Sequence, residues 1–321
     1  MFIRKLALAL VLPPALLLGA CGSGASQAPA ATAAPLATAA PAAGVTVTDA
    51  AGRAVTVKAV PQRIVSLAPS DTEILFALGL GPKVLAVDDF SDYPAEAKAL
   101  PKIGGTNETY NFEQIVALAP DLVFAAGITP PETIKKLEDL KQTVIVLGTP
   151  QTTFESISAD IALAGKVTGE ADQAQRLADA MRQKLAALKS KLAIASTRPR
   201  VYWELDATDP SKPYSVGKGN FVGDLIAMAG GVNVFEQVES PFPQVSGEQV
   251  VAADPEVIIL PDAAYGISVD SVLARPGWRS IAAVKQRRVE PIDDNMVSRP
   301  GPRIVDGLEA TARIIHPELF K

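Results

Sequence analysis

Hydrophobic and polar positions alternate along the chain in an order that predicts strands and helices in turn. Residues 44–60 follow the two-residue period of a β-hairpin, with Ala51 and Gly52 near its turn. Buried, β-branched strands are predicted next, beginning at residues 63–67 and continuing to residues 143–147, with helical segments between them. This strand–helix–strand order predicts a parallel sheet that is covered by helices.

One segment of this pattern occurs twice. Residues 113–124 read EQIVALAPDLVF, and residues 248–259 read EQVVAADPEVII. Each copy predicts a short helix, a turn that contains a proline, and a buried strand of a parallel sheet. The chain is therefore predicted to contain two related α/β lobes, each with a glutamate, Glu113 or Glu248, at an equivalent helix start. Such a pair on two rigid lobes favours docking over catalysis.

A single long helix is predicted between the lobes, over residues 168–196. Its apolar stripe recurs at spacings of three and four and consists of Leu177, Met181, Leu185, Leu188 and Leu192. Thr168 can cap the helix, Glu170 suits the positive end of its dipole, and Pro199 marks its end. A helix of this length spans about 40 Å, which is enough to bridge two lobes.

The first 43 residues do not have a globular pattern. Arg4 and Lys5 precede an apolar stretch, and small residues then lead to Cys21, the only cysteine. This order predicts a lipoprotein signal peptide over residues 1–21 whose terminal cysteine is acylated. The alternative is an unrelated cysteine after an ordinary signal peptide. Residues 22–43, rich in Ala and Pro, predict a flexible tether.

The remaining chain is longer than one hydrophobic core usually serves. The first lobe, the linking helix and the second lobe are predicted at residues 44–166, 167–197 and 198–321. The predicted fold class is α/β, with two Rossmann-like lobes whose mostly parallel sheets are joined by a single long α-helix.

Composition argues against several classes of function. Acidic residues outnumber basic ones, 35 to 30, without a basic stripe, so no nucleic-acid partner is expected. The single histidine, His316, cannot build a histidine-rich zinc site and is predicted to be structural, so no metal site is expected. No cofactor is predicted either. No nucleophile has an obvious general base, so no catalytic residue is predicted. Residues 217–219 with Gly223 lack the spacing of a nucleotide loop and predict a tight turn.

Five segments extend the pattern into a family resemblance. In chain order they are PQRIVSLAPSDTEILFALGLG at residues 61–81, FSDYPAEAKALPKIGG at 90–105, NFEQIVALAPDLV at 111–123, FPQVSGEQVVAADPEVII at 242–259 and SRPGPRIVDGLE at 298–309. With these segments the chain resembles the substrate-binding proteins of ABC importers that bind cobalamin, ferric siderophores or haem, and among them the vitamin B12-binding branch most of all. The resemblance implies a class III periplasmic-binding-protein fold and a monomer without enzymatic activity.

The resemblance also implies a partner, a permease dimer with its ATPase subunits. In the family, glutamates equivalent to Glu113 and Glu248 engage arginine pockets on the paired membrane subunits, and charge-assisted pairs of this kind are directional. The alternative for each residue is an acidic side chain favoured by the dipole of a first helical turn. The membrane is expected to be contacted only through the lipid anchor, at the outer face of the cytoplasmic membrane.

Ligands of open α/β sheets bind where loops leave the carboxyl ends of strands. The candidate ligand-binding residues are Ser70, Asp71, Phe90, Tyr110, Glu204, Tyr214, Phe242, Asn295, Met296 and Arg299. By the resemblance, Phe90 matches an aromatic contact of the B12 binder, and Asn295 and Arg299 match its carboxy-terminal contact segment. Phe242 and Asn107 stand where that binder has tryptophans, and Asn295 where it has an acid. A corrin face favours aromatic area, so these differences leave corrinoid, ferric siderophore and haem all open.

Arg299 suits an anionic ligand equally well, because a guanidinium binds a carboxylate or catecholate through two hydrogen bonds. The alternative is an ion pair with Asp293 or Asp294. Trp203, inside an apolar strand, is predicted to be a core residue, and Trp278 and Tyr110 are open to the same interpretation.

Together these patterns predict a lipid-anchored receptor that binds a corrinoid or ferric chelate between two lobes and delivers it to a permease. Two alternatives stay open at this point: an exported two-lobed enzyme, either a hydrolase or a transferase, and a ligand-sensing lipoprotein.

Overall fold

The computed structural model describes residues 44–105, 109–149 and 152–321, which form one compact unit. The predicted signal peptide and tether, with Cys21, and also Asn107 lie outside these residues. Across the described ranges, no helix combines the length and the apolar character that a membrane span requires.

A β-hairpin opens the first lobe, as predicted. Its strands, β1 (Val45–Thr48) and β2 (Ala54–Val57), pair in antiparallel register. The buried Asp49 carboxylate accepts hydrogen bonds from the Arg53 side chain and from the backbone N–H of Val146. One carboxylate therefore attaches the hairpin to the neighbouring sheet.

The sheet of the first lobe has four parallel strands in the order β4-β3-β5-β6. The strands are β3 (Ile64–Ser66), β4 (Val84–Val87), β5 (Leu122–Ala126) and β6 (Val144–Leu147), and the helices between them are α1 (Pro69–Ala77), α2 (Phe112–Ala117) and α3 (Pro131–Asp139). β5 and β6 are buried along their whole length, as expected for strands covered on both faces. The predicted parallel sheet is confirmed.

Two helices, and not one, follow this sheet. The first, α4 (Phe154–Thr168), ends at Gly169, whose φ of 80° lies in the left-handed region that glycine adopts readily, and α5 (Ala171–Leu192) starts two residues later. The Thr168 hydroxyl donates to the carbonyl of Ala164 within α4. The predicted start of the linking helix at Thr168 is therefore wrong, and α5, with 22 residues, spans about 33 Å.

The predicted apolar stripe of α5 is confirmed. Met181 and Leu188 are buried, and Leu177, Leu185 and Leu192 are half-buried against the same core. This core contains residues from the sheets of both lobes. Residues of α5 and of the last helix, α11, also belong to it. The lobes therefore share one apolar cluster in addition to a separate cluster in each.

The second lobe repeats the α/β arrangement. Its strands are β7 (Arg200–Asp206), β8 (Tyr214–Ser215), β9 (Val232–Asn233), β10 (Val257–Leu260) and β11 (Val289–Pro291), and its helices are α6 (Phe221–Met228), α7 (Gly247–Ala253), α8 (Val269–Leu273), α9 (Ala282–Lys285), α10 (Asp294–Val297) and α11 (Ile304–Ile315). The strand order is β11-β10-β7-β8, and β9 also pairs with β7. Among these pairs only that of β8 with β7 is antiparallel, so the predicted mostly parallel sheet is confirmed.

The sequence repeat is also a structural repeat. In both copies a side-chain oxygen, of Asn111 for α2 and of Ser246 for α7, caps the helix by accepting the N–H of its third residue. Both helices end near a residue in the left-handed region, Ala119 with φ 44° and Asp254 with φ 43°. The strands that follow, β5 and β10, are both fully buried.

Candidate functional site

A cavity of about 450 Å³ lies between the two lobes. Its first-lobe wall includes Ser70 and Asp71 at the start of α1 and Gly148 just after β6, and its second-lobe wall includes Leu205 near the end of β7 and Phe242. The cavity therefore lies beside the carboxyl ends of strands, in agreement with the predicted position of the cleft. Its volume falls within the range of about 300–1,000 Å³ that is usual for small-molecule sites.

The walls of this cavity are mostly apolar. Ile74 and Leu147 come from the first lobe, and Leu205 and Phe221 come from the second. Phe242 also lines the cavity and is 62% exposed, so its ring is available to a ligand. Apolar walls of this kind suit a ligand with a broad hydrophobic face.

Two carboxyl groups interrupt the apolar surface. Asp71, which was predicted as a ligand residue, is 1% exposed and lines the cavity together with Asp160 of α4. Burial raises the pKa of Asp71 well above its usual value, and the nearby charges of Asp160 and Asp88 raise it further. Burial also raises the pKa of Asp160 to about 6, although the backbone N–H of Gly148 opposes this shift.

Asp160 was missed by the sequence analysis. Its only sequence signal is an acidic residue within the apolar stretch ISADIALAGKV, where an unpaired carboxylate is costly. Asn220, at the start of α6, also lines the cavity and was not predicted. Its side chain caps α6 and donates to the carbonyl of Pro241, so it shapes the second-lobe wall.

Glu204 does not line the cavity, and its prediction as a ligand residue is wrong. The side chain is fully buried and accepts two hydrogen bonds from Arg275, at 2.5 and 2.8 Å, and one from the Tyr202 hydroxyl. Side chains alternate between the two faces of a strand, so it is the neighbouring Leu205 that faces the cavity.

Three of the predicted aromatic residues lie outside the described lining of the cavity. Phe90 and Tyr214 are both exposed, at 55% and 43%. Tyr110 is half-buried and donates its hydroxyl to the carbonyl of Leu67 at 3.2 Å. A role for these side chains in ligand binding stays a prediction.

Arg299 lies at the contact between the lobes, but with partners that the sequence analysis did not foresee. Its guanidinium donates to the Asp92 carboxylate at 2.6 Å and to the carbonyl of Phe90 at 3.1 Å. The predicted alternative was an ion pair of Arg299 with Asp293 or Asp294. Arg299 does form an ion pair, but its partner is Asp92 of the other lobe, so the predicted partners are wrong.

Asn295 and Met296 belong to α10, next to this contact. Asn295 is half-buried, and its carbonyl accepts a hydrogen bond from Arg303 at 3.3 Å. Neither residue is on the described lining of the cavity. Their role as ligand contacts stays a prediction.

Glu113 and Glu248 occupy the second position of α2 and of α7 and are both exposed. Neither carboxylate forms an ion pair with another residue of the described ranges. An arginine at the start of a strand holds the end of each helix: Arg63 donates to the carbonyl of Ala119 at 3.0 Å, and Arg200 donates to that of Asp254 at 2.8 and 3.1 Å. The helices that carry Glu113 and Glu248 are therefore held in the same way in both lobes.

Trp203, Trp278 and His316 are buried. Trp203 is fully buried in the shared core, as predicted. Trp278 is also buried and packs edge-to-face on Tyr202. His316 is buried with Nδ1 3.0 Å from the Glu318 carboxylate, which agrees with its predicted structural role.

Lys218 and Gly219 lie in a turn before α6, as predicted, where Gly219 has a φ of 80°. Gly219 forms part of the cavity wall.

A sequence model of the family described as periplasmic binding protein matches residues 64–296, which is more than two thirds of the chain. The chain belongs to this family. An uncharacterized ABC transporter substrate-binding lipoprotein of Bacillus subtilis, YvrC, is 32% identical to it over 316 residues, or 98% of this chain and 97% of the relative.

Two further relatives of this binding protein have named ligands. A vitamin B12-binding protein of Vibrio cholerae is 34% identical over 252 residues, which cover 77% of this chain and 87% of the relative. The solved structure of the periplasmic heme-binding protein RhuT of Roseiflexus sp. RS-1, in its apo form, has a TM-score of 0.72 at 29% identity and covers 80% of this chain and 99% of its own.

These comparisons confirm the family resemblance and the two-lobed α/β fold. The family and the named relatives are binding proteins, and this chain is a binding protein and not an enzyme. The exported enzyme that the sequence left open finds no support.

Proposed function

We propose that this binding protein is the substrate-binding component of an ABC importer and that it carries a corrinoid or an iron chelate, of the siderophore or haem type, between its lobes. The observation that carries the proposal is the mostly apolar cavity between two lobes that each present an exposed, equivalent glutamate. One part of the molecule is suited to hold a ligand, and another is suited to dock.

The cavity supports a ligand that is bulky and has hydrophobic faces. Phe221 and Phe242 offer aromatic surface from the second lobe, and Ile74 and Leu147 offer aliphatic surface from the first. Relatives that bind vitamin B12 or haem have ligands of this kind. A related solved structure belongs to an Fe³⁺-hydroxamate transport system, so the iron chelates stay within the proposed class.

The paired glutamates support delivery to a permease. Glu113 and Glu248 lie at the same position of two capped helices, one in each lobe of a single compact unit. Two exposed charges that are held apart by rigid lobes make a two-point contact, which fixes orientation better than one charge does. Glu113 and Glu248 lie in the two copies of the repeat, so each can contact one of the two paired subunits of a permease.

The proposed location is outside the cytoplasmic membrane, where Cys21 carries a lipid anchor. The lipoprotein from Bacillus subtilis, to which the chain is similar over nearly its whole length, supports this part of the proposal. Two acyl chains anchor a protein stably, whereas a single chain binds a membrane only marginally.

Calorimetric titration of the protein that starts after Cys21 tests the binding proposal. Cobalamin, a ferric tris-hydroxamate and haem are titrated in separate experiments, and we expect one of them to bind tightly with a stoichiometry of one. Failure of all three chelates to bind the folded protein contradicts the proposal.

A matched pair of tryptophan variants locates the ligand. Ile128 is 85% exposed and lines the cavity, whereas Ile194 is 74% exposed and follows α5. Ile128→Trp is expected to weaken binding by about tenfold or more because the larger side chain occupies ligand space, and Ile194→Trp is expected to leave binding unchanged. Equal affinities of the two variants place the ligand elsewhere.

A further inference from the structure

Asp71 and Asp160 are acidic groups of the cavity that neither docking nor the shared core requires. α1 and α4 pack against each other, which brings the two carboxyl groups to the same wall. Asp71 is 1% exposed and Asp160 is 7% exposed, so both side chains are buried. The charge of Asp160 contributes to the raised pKa of Asp71.

The carboxyl group of Asp71 has few hydrogen-bond partners among the described residues. Its Oδ1 accepts a long hydrogen bond of 3.4 Å from the Ser70 hydroxyl, and its Oδ2 is buried without a partner among the described residues. A buried polar atom that lacks a partner costs about 1–3 kcal/mol, so native proteins rarely keep one without a reason. The unpartnered oxygen belongs to a side chain that lines the cavity.

The charges around this wall do not suit an anion. Among the described residues that line the cavity, none is Arg or Lys. The arginines at the contact between the lobes are already paired, Arg299 with Asp92 and Arg303 with Glu73. Asp88 adds a further negative charge near Asp71. An anionic ligand edge therefore meets the Asp160 carboxylate without a counter-charge, whereas an N–H donor meets acceptors.

We propose that Asp71 and Asp160 form the polar recognition pair of the cavity and select a ligand with an apolar body whose N–H groups, from an amide or an ammonium, hydrogen-bond to the two carboxyl groups. This inference rests on the proposed function and narrows its ligand class. It disfavours chelates whose exposed edge is anionic, such as tris-catecholates or haem with free carboxylates, at this wall.

Two ligand pairs test the proposal on the wild-type protein. In the first pair, cobalamin, which carries primary amides, is compared with its monocarboxylic acids, in which one amide at a time is hydrolysed. In the second, ferrioxamine B, a ferric tris-hydroxamate with a free ammonium, is compared with its N-acetylated form. We expect a loss of affinity of at least about tenfold within one pair, since a hydrogen bond to a charged group contributes about 1.5–3 kcal/mol and 1.4 kcal/mol is tenfold. The pair that responds identifies the amide or the ammonium as the donor.

The variant Asp71→Asn with Asp160→Asn tests the residues themselves. It keeps side-chain size, and it should abolish most of the discrimination within the responding pair. Asp172→Asn, at an exposed acid in the first turn of α5, is the control and should keep the discrimination. Circular dichroism verifies that each variant is folded.

The outcomes separate this inference from the proposed function. Binding of cobalamin or ferrioxamine B without discrimination in either pair, or discrimination that survives in the double variant, overturns the role of the acid pair and leaves the proposed function standing. Tighter binding of haem or of a ferric tris-catecholate than of both test ligands also overturns it. Failure of every chelate to bind overturns the proposed function and this inference together.

Discussion

The Glu73 carboxylate of the first lobe accepts two hydrogen bonds from the Arg303 guanidinium of the second lobe, at 2.9 Å from Nε and 2.6 Å from a terminal nitrogen. The same guanidinium lies 3.8 Å from the ring centre of Tyr93, which is also in the first lobe. The pair between Arg299 and Asp92 extends this contact. Partly buried charges therefore hold the two lobes together.

Removal of Glu73 should destabilise the protein strongly. Glu73→Ala leaves Arg303 without its carboxylate, and the loss of one partner from a buried pair costs about 3–5 kcal/mol. Because the arginine side chain is 15% exposed, we expect the lower end of this range for the free energy of unfolding, measured by urea titration. Lys135→Ala removes an exposed pair with Asp139 and should change that free energy by less than about 1 kcal/mol. Similar effects of the two variants contradict a role for Glu73 between the lobes.

Glu204 should matter for stability and not for ligand affinity. Glu204→Gln keeps the shape of the side chain but removes the charge that faces the Arg275 guanidinium, so we expect a loss of about 3 kcal/mol of unfolding free energy. Calorimetry should give the same ligand affinity as the wild type. A large loss of affinity in a folded Glu204→Gln variant would restore this residue to the binding site.

Local sequence patterns predicted most of the fold. The repeat that begins at Glu113 and Glu248 identified two lobes. Within each copy of a dozen residues, the spacing of hydrophobic residues and the proline in the turn are enough to predict a short helix and a buried strand. The end of α4 at Gly169 was missed, since a single glycine between two helical patterns does not reveal whether the chain turns there.

The candidate site was less predictable. Glu204 was placed in the cleft although its strand neighbour Leu205 faces it, because the sequence gives the alternation of a strand but not which face points to the cavity. Arg299 was assigned partners near it in the sequence, whereas Asp92 comes from the other lobe. Asp160 reaches the cavity only because α4 packs on α1. All three depend on how distant segments pack.

The stability of the protein without ligand should fall as the pH rises from about 4 to 7. Burial raises the pKa of Asp160 to about 6, and burial with the nearby Glu204 charge raises that of Asp262 to about 7, from a usual value of 3.8. A carboxyl group with a higher pKa in the folded than in the unfolded chain binds more protons when folded, so the unfolding free energy decreases with pH between the two values. The groups that face these carboxyls are Asp71 and the Gly148 N–H for Asp160, and Glu204, the Ala207 N–H and Arg275 for Asp262.

Thermal melts between pH 4.5 and 7.5 measure this slope. Asp160→Asn should reduce the slope below about pH 6, and Asp262→Asn should reduce it up to about pH 7. The exposed-site variant Asp172→Asn should retain the wild-type slope. A slope that is unchanged in both of the buried-site variants contradicts this assignment.

The arginines that hold the ends of α2 and α7 should stabilise these helices without affecting the cavity. Arg63→Ala removes the hydrogen bond to the Ala119 carbonyl, so amide hydrogen exchange in α2 should become several-fold faster. Arg200→Ala should do the same in α7, which makes each variant the control for the other. Faster exchange throughout the lobe, or a changed ligand affinity, contradicts a local role.

Ligand binding and docking should be performed by different parts of one molecule. Uptake of a bound chelate into proteoliposomes that contain the cognate permease and ATPase tests it with the variant Glu113→Arg with Glu248→Arg. Glu132→Arg changes an exposed glutamate at the same helical position of α3 and is the matched control. We expect the double variant to bind ligand with wild-type affinity and to support no uptake, while the control supports normal uptake. Normal uptake by the double variant, or loss of ligand binding in its folded form, contradicts this separation of docking from ligand binding.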